Sequence, residues 1–379
     1  MDGVKDIAVI RSSYSPYGGL EVQTADFIRS ILAKNIKVSL LTLPRQRWPI
    51  VHPNLEIITL GSLIKNRLWQ LWRFERSVCN YISRHSFRAV FSLDRVSGFT
   101  HFSAGEGSHK SFLRIKNRIS STPARLFRKF SLFHAYTLQI EKKGFHNPQL
   151  KKIHCCSEMV ARDIGNDYLV DSGKFQVIYN GINWKDIGKT FRNRAFIGDE
   201  LLKAHDLNPS NNHLLFLGSG FARKGLDIAI RGLVFLPESY HLIVVGKDHC
   251  RAYVRQSEKL GLKRRVHFLG PQVQGWRYAA ICKAMILPSA YEPFGLAAAE
   301  AQAMGLPVLV SENTGYAELV SPGRNGVVLK NNGNIKDAFI EIQHLMESPV
   351  LTPEQIREHV SCLDNDIITE KIIREFLEL

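Results

Sequence analysis

The sequence predicts an α/β protein of two doubly wound domains, each a parallel sheet with helices on both faces. Three observations point there. The order strand, glycine loop, helix occurs near the start and again near residue 214. The strand segments are short, unbroken apolar runs, as strands buried on both faces require. The 379 residues suffice for two domains of ordinary size.

Ile7–Ile10 reads as the first strand. A polar loop, Ser12–Pro16, runs into Tyr17-Gly18-Gly19-Leu20, and Val22, Ala25, Phe27, Ile28, Ile31 and Leu32 then recur at helical spacing. Lys37–Thr42 is the next strand. This βαβ unit implies parallel pairing. Ala89–Ser92 and Lys152–Cys156 are later strands, and Ser157 stands at the cap position of a following helix. Gln176–Ile182 closes the first domain, expected to span 1–190. A polar stretch, Lys185–Asn212, marks the boundary. The second domain, 191–365, restarts with Leu214–Leu217, Gly218-Ser219-Gly220 and the helix at Lys224–Ile230. His241–Gly246, Val266–Gly270, Met285–Ser289 and Gly305–Val310 continue the alternation. Ligands of such sheets sit beyond the carboxyl ends of the strands. The loops after the strands are therefore expected to line a cleft.

Composition narrows the classes. No apolar run approaches the ~20 residues of a membrane span. Met1–Ile10 carries acids and one short apolar run, unlike a signal peptide, so a cytoplasmic protein is expected. The six cysteines show no metal-finger spacing and read as buried, reduced thiols. The net charge of +15 lies wholly in the first half. Residues 1–190 hold 29 Lys/Arg against 14 Asp/Glu, whereas 191–379 hold 21 of each. A one-sided positive field points to an acidic partner.

The most informative segment is Tyr291-Glu292-Pro293-Phe294-Gly295-Leu296, with Glu300 eight positions after Glu292. A glycine lets backbone amides approach a ligand, and the following helix start favours an anion. At ~1.5 Å rise per residue the two carboxylates lie on the order of 10 Å apart. That suits one long ligand touched twice, and does not suit an acid/base pair astride one bond. Arg223 and Lys224 follow Gly218 in the strand-to-helix loop. They supply a fork and a point charge, a suitable pair for a diphosphate.

These segments resemble retaining, nucleotide-sugar-dependent glycosyltransferases of family 4 (group 1). Within it, Pro16–Leu20, Gly218–Asp227 and the Glu292/Glu300 region resemble bacterial lipopolysaccharide core glucosyltransferases, although Pro293-Phe294 follows the general family instead. The resemblance implies the GT-B architecture, two Rossmann-like domains facing across a cleft, with a last helix, about 366–379, packing back on the first. It implies that Glu292 meets the donor sugar and that Arg223 and Lys224 neutralise the pyrophosphate. The amides at Phe294, Gly295 and Leu296 would hold the distal phosphate, and Glu300 the ribose. Gly18, Gly19 and Gly218 would approach the donor by backbone, and the loop containing Val273 would read a uracil base. Among groups facing sugar and acceptor, Glu106 and His109 are favoured over His101, with Asp94 and Arg95 on the acceptor side. Each of these also has a plain reading as a local hydrogen-bonding group.

Implied with this are a uridine-diphosphate sugar as co-substrate, hexose transfer to a glycolipid, no cofactor and no metal. From Gly107 to Ile140 there is no acid but seven Lys/Arg interleaved with Phe and Leu, and Leu63–Arg76 mixes Trp69, Trp72 and Phe74 with four cations. The stretches 63–76 and 110–133 fit helices lying on an anionic membrane, or core helices with a solvated basic side. Nucleic-acid binding lacks any recognisable module. Another cell-envelope glycan, a sugar-nucleotide epimerase on the same fold, and a non-catalytic scaffold stay open.

Overall fold

The computed structural model describes residues 5–14, 19–118 and 131–377. The chain divides into two compact units, one of Met1–Tyr179 with Asp366–Leu379 and one of Asn180–Asn365. The division falls upstream of the expected residue 190. The polar stretch taken for a boundary conceals a helix, Trp184–Arg192, whose Ile187 and Phe191 are buried in the second unit.

Among the described residues the first unit has seven strands. They are β1 (Lys5–Ile10), β2 (Val38–Thr42), β3 (Leu55–Thr59), β4 (Phe87–Ser92), β5 (His101–Ser103), β6 (Lys152–Cys155) and β7 (Phe175–Val177). Their order is β3-β2-β1-β4-β5-β6-β7, all parallel. The helix Gly19–Ala33 returns the chain from β1 to β2 and buries Ile28, Ile31 and Leu32 against Ile7, Val9 and Leu40. Ile373 joins this core from the helix Asn365–Leu377, and Glu370 of that helix pairs with Lys34 at 3.0 Å.

The second unit has six described strands: β8 (Asn212–Leu217), β9 (Tyr240–Val245), β10 (Val266–Gly270), β11 (Cys282–Leu287), β12 (Val308–Ser311) and β13 (Gly326–Leu329). Their order is β10-β9-β8-β11-β12-β13, again all parallel. Leu214, Phe216, Leu242, Val244 and Ile286 meet Leu226, Ile230 and Leu233 on one helix and Phe339 and Ile342 on another. Each such side chain, fully buried, contributes about 1.5–3 kcal/mol. These strands carry apolar residues at consecutive positions because both faces are covered. The doubly wound α/β expectation therefore holds in each unit. In each sheet the order reverses once, between β1 and β4 and between β8 and β11, and ligands of such sheets bind at that switch. No helix among the described residues is long and apolar enough to cross a membrane.

Candidate active site

The second unit's switch point is where two loops meet. After β8, Gly218-Ser219-Gly220 turns into a short helix, Phe221–Lys224. Its first amide, on Phe221, donates to Asp248 Oδ2 at 2.7 Å, from the loop after β9. The loop after β11 runs from Pro288 to Gly295, and its Ala290 amide donates to the Arg223 carbonyl at 2.8 Å. Across this junction Arg223 Nη1 donates to the Tyr291 carbonyl at 2.9 Å and to Glu292 Oε2 at 2.5 Å. Lys224 Nζ stands 3.1 Å from the same oxygen. Two cations thus share one carboxylate oxygen, an excess of positive charge at the sheet's switch. Glu292 Oε1 accepts no hydrogen bond from the described residues.

Burial by itself would raise the Glu292 carboxyl. Lys224 and then Arg223 outweigh it and hold the group below the usual carboxylate range. The Lys224 side chain lies across Gly218, where φ is +132° and an added Cβ would sit 2.5 Å from Lys224 Cε. Gly218 therefore makes room for the lysine, a reason beyond the expected backbone approach.

A second strip holds the Glu292 loop from the other side. The Glu292 amide donates to the Asn313 carbonyl at 3.0 Å, and the Gly315 amide to the Glu292 carbonyl at 2.9 Å. The Tyr316 amide donates to the Phe294 carbonyl at 2.6 Å. Gly295 then takes φ +109°, tight against Thr314, and opens the helix Leu296–Ala303 without a side-chain cap. The first amides of a helix have no carbonyl behind them, and the dipole adds positive potential there. Glu300 lies on this helix. Its carboxyl makes no hydrogen bond or ion pair with the described residues, and burial pushes it up to about 7, with Lys224 opposing. Val273 follows β10 and is 73% exposed.

The first unit treats its expected residues differently. Gly18 lies outside the described residues, and Gly19 opens its helix. Asp94, after β4, accepts from Arg11 Nη1 at 3.1 Å and from the Ser12 amide, both after β1. It thereby closes that sheet's own switch point. Arg95 donates to Glu141 at 2.8 Å, to Glu106, and to the Gly107 carbonyl at 3.2 Å. Burial works to raise Glu106; Arg95 overrides it and keeps that carboxyl low. His109 is buried, with its ring 3.1 Å from His134, and burial lowers it to about 3. Arg95 and His109, expected to face the sugar and acceptor, take protein partners here. Both groups are bound inside the unit, where desolvation disfavours an unpaired charge.

Sequence reasoning passed over Glu141, which braces Arg95, the His109 amide and Tyr168. Its one signal was position, as the first acid after the acid-free window. Asp248 and Gln302 were also missed, because single polar residues in loops and helices carry no spacing cue.

The basic stretches are partly accounted for. Lys110 donates to the Asp167 carbonyl at 3.0 Å, and Arg114 pairs with the Asp167 carboxylate. Residues 119–130 of the stretch lie outside the described residues. In the earlier stretch, Leu63 and Trp69 are exposed, Trp69 packs edge-on to Trp72, and Arg76 lies over the Trp72 ring. Arg67 covers Phe133, next to the exposed Leu132.

Comparison with known proteins gives the family and the fold. Residues 17–185 match the Glycosyltransferase Family 4 domain, and residues 199–360 match the Glycosyl transferases group 1 domain. The lipopolysaccharide glucosyltransferase WaaG of Escherichia coli K12 is 24% identical over 85% of this chain and 84% of its own. An uncharacterized glycosyltransferase of Methanocaldococcus jannaschii is 30% identical over 45% of each chain. Among solved structures, WaaG superposes with a TM-score of 0.78 at 20% identity, covering 98% of this chain and 99% of that one. Anabaena HepE, in complex with UDP and glucose, gives 0.70 at 18% identity, covering 99% and 100%. These structural likenesses show the fold, GT-B. With one half of its sequence matching each domain, the chain belongs to the group 1, family 4 glycosyltransferases.

Proposed function

We propose that this glycosyltransferase moves a hexose, glucose, from a uridine-diphosphate sugar to a lipopolysaccharide core or related glycolipid, with retention of configuration. The observation that carries the reading is the pair of cations on Glu292 beside the uncapped start of the helix Leu296–Ala303. Arg223, Lys224 and the amides from Gly295 onward supply positive potential where a departing diphosphate gathers charge. In this reading no metal is needed on the diphosphate. Glu292, kept ionised by its two cations and with Oε1 available, accepts hydroxyls of the donor sugar. Glu300 accepts those of the ribose. The acceptor hydroxyl attacks from the leaving-group side. Glu106, exposed in the first unit, is a candidate for contact with the acceptor.

The named relatives support donor and acceptor classes, since WaaG is a lipopolysaccharide glucosyltransferase and HepE was solved with UDP and glucose. The exposed Trp69 and Leu63 among Lys65, Arg67, Arg73 and Arg76 suit an anionic membrane surface, and in this reading the enzyme works at the inner face of the cytoplasmic membrane.

The test incubates purified protein with a panel of nucleotide sugars, with and without heptose-containing lipid core, in EDTA. Mass spectrometry reads diphosphate release and sugar addition. Acceptor-dependent transfer from one uridine-diphosphate sugar is expected. Isomerisation without acceptor would assign an epimerase, and turnover that returns only with a divalent cation would overturn the metal-free reading.

A further inference from the structure

We propose that Tyr316 is the positioning residue for the backbone amides that bind the donor diphosphate. The inference rests on the donor reading above and deepens it. A trans peptide points its C=O and its N–H in opposite directions. The Phe294 carbonyl is held by the Tyr316 amide at 2.6 Å. The next amide, on Gly295, is therefore directed away from the Gly315-Tyr316 turn, and no hydrogen bond among the described residues takes it up. Only a residue tolerating φ +109° allows this turn of the backbone.

Tyr316 is itself fixed from three sides. Its ring is fully buried and meets Phe294 edge-on, with centroids 5.6 Å apart. Its hydroxyl donates to Gln302 Oε1 at 2.8 Å. Gln302, also fully buried, donates through Nε2 to the Asn325 carbonyl at 2.8 Å, which sets the orientation of its amide. Gln302 lies on the same short helix as Glu300. One buried tether thus joins both ends of the anion-binding element, the Gly295 amide at its start and the Glu300 turn at its end. Burial keeps the hydroxyl protonated, a permanent donor.

The experiment measures UDP and uridine affinity by calorimetry, with unfolding midpoints, for wild type, Tyr316→Phe and Tyr316→Phe/Gln302→Met. Tyr316→Phe removes one oxygen and strands the Gln302 carbonyl, whereas the double variant removes both partners. UDP affinity should fall about tenfold in both variants, with uridine affinity unchanged. The unfolding midpoint should drop in the single variant and recover in the double. An unchanged UDP-to-uridine ratio in Tyr316→Phe would overturn the proposal. So would a ratio that recovers with the midpoint, because the effect would then be stability alone. Wild type that binds neither ligand would remove the donor reading itself, and is told apart by failing before any substitution is made.

Discussion

Arg223 reaches Glu292 at 2.5 Å across the switch point of the second sheet, one residue following β8 and the other β11. The pairing is set by topology. Strands far apart in sequence become neighbours where the order reverses, so their loops must meet.

Glu292→Gln and Arg223→Ala should each lower kcat by about 100-fold or more, the range seen when a preorganised electrostatic group is removed. Glu292→Gln preserves the shape of the side chain and removes the charge facing Lys224. Steady-state turnover with the identified donor checks this. Normal turnover in both variants would contradict the assigned roles.

Glu300 gives a pH dependence. Its carboxyl sits at about 7, and the ionised form is the one that accepts bonds from ribose hydroxyls. Donor KM should therefore fall as pH rises from 6 to 8, and Glu300→Gln should flatten the profile.

Gly218→Ala should lower both stability and activity. Its Cβ would meet Lys224 Cε at 2.5 Å in a backbone region disfavoured for alanine. The strained backbone alone costs about 1–3 kcal/mol. Thermal unfolding, read beside UDP affinity, checks that the lysine is displaced along with the loss of stability.

The second unit should lose stability in acid. His213, His241 and His267 line the amino ends of β8, β9 and β10, with His241 Nδ1 3.0 Å from His267 Nε2. Burial lowers all three, His213 to about 4, and their neighbours, including Arg265 beside His241, reinforce the direction for His213 and His241. Each contributes stability present above its unfolded value near 6.5 and lost as pH falls toward its folded value. For His213 the loss is on the order of 2 kcal/mol by pH 5. Chemical denaturation at pH 7.5 and 5 measures it, and His213→Asn should reduce the difference.

Binding to vesicles containing anionic lipid should blue-shift tryptophan fluorescence, weaken with salt and fall several-fold in Trp69→Ser. A double charge reversal, Arg67→Glu with Arg73→Glu, should abolish it, while Lys110→Ala should change little, since Lys110 is engaged by Asp167. Sedimentation with vesicles reads all three.

The fold was largely legible in sequence, since strand, glycine loop and helix repeat in order, and the two loops singled out there are the ones that bring Arg223 and Lys224 to Glu292. The first unit was less legible because charge in a sequence does not reveal its partner. Nothing in the sequence announces the carboxylates of Glu106 and Glu141 around Arg95. Nor does it announce the burial of His109 beside His134. The helix Trp184–Arg192 was hidden by its polar face, although Ile187 and Phe191 stand at helical spacing.

The helix that places Ile373 in the first core belongs to a chain that has already traversed the whole second unit. The second unit is thus an insertion into the first, entering after Tyr179 and leaving before Asp366. During vectorial synthesis its residues all emerge before the last piece of the first core. The second unit can therefore complete its sheet while the first still waits with an open apolar face beside Ile7, Ile28 and Ile31. Truncations within 366–379 would strand the first unit in that unfinished state and leave the second unit intact.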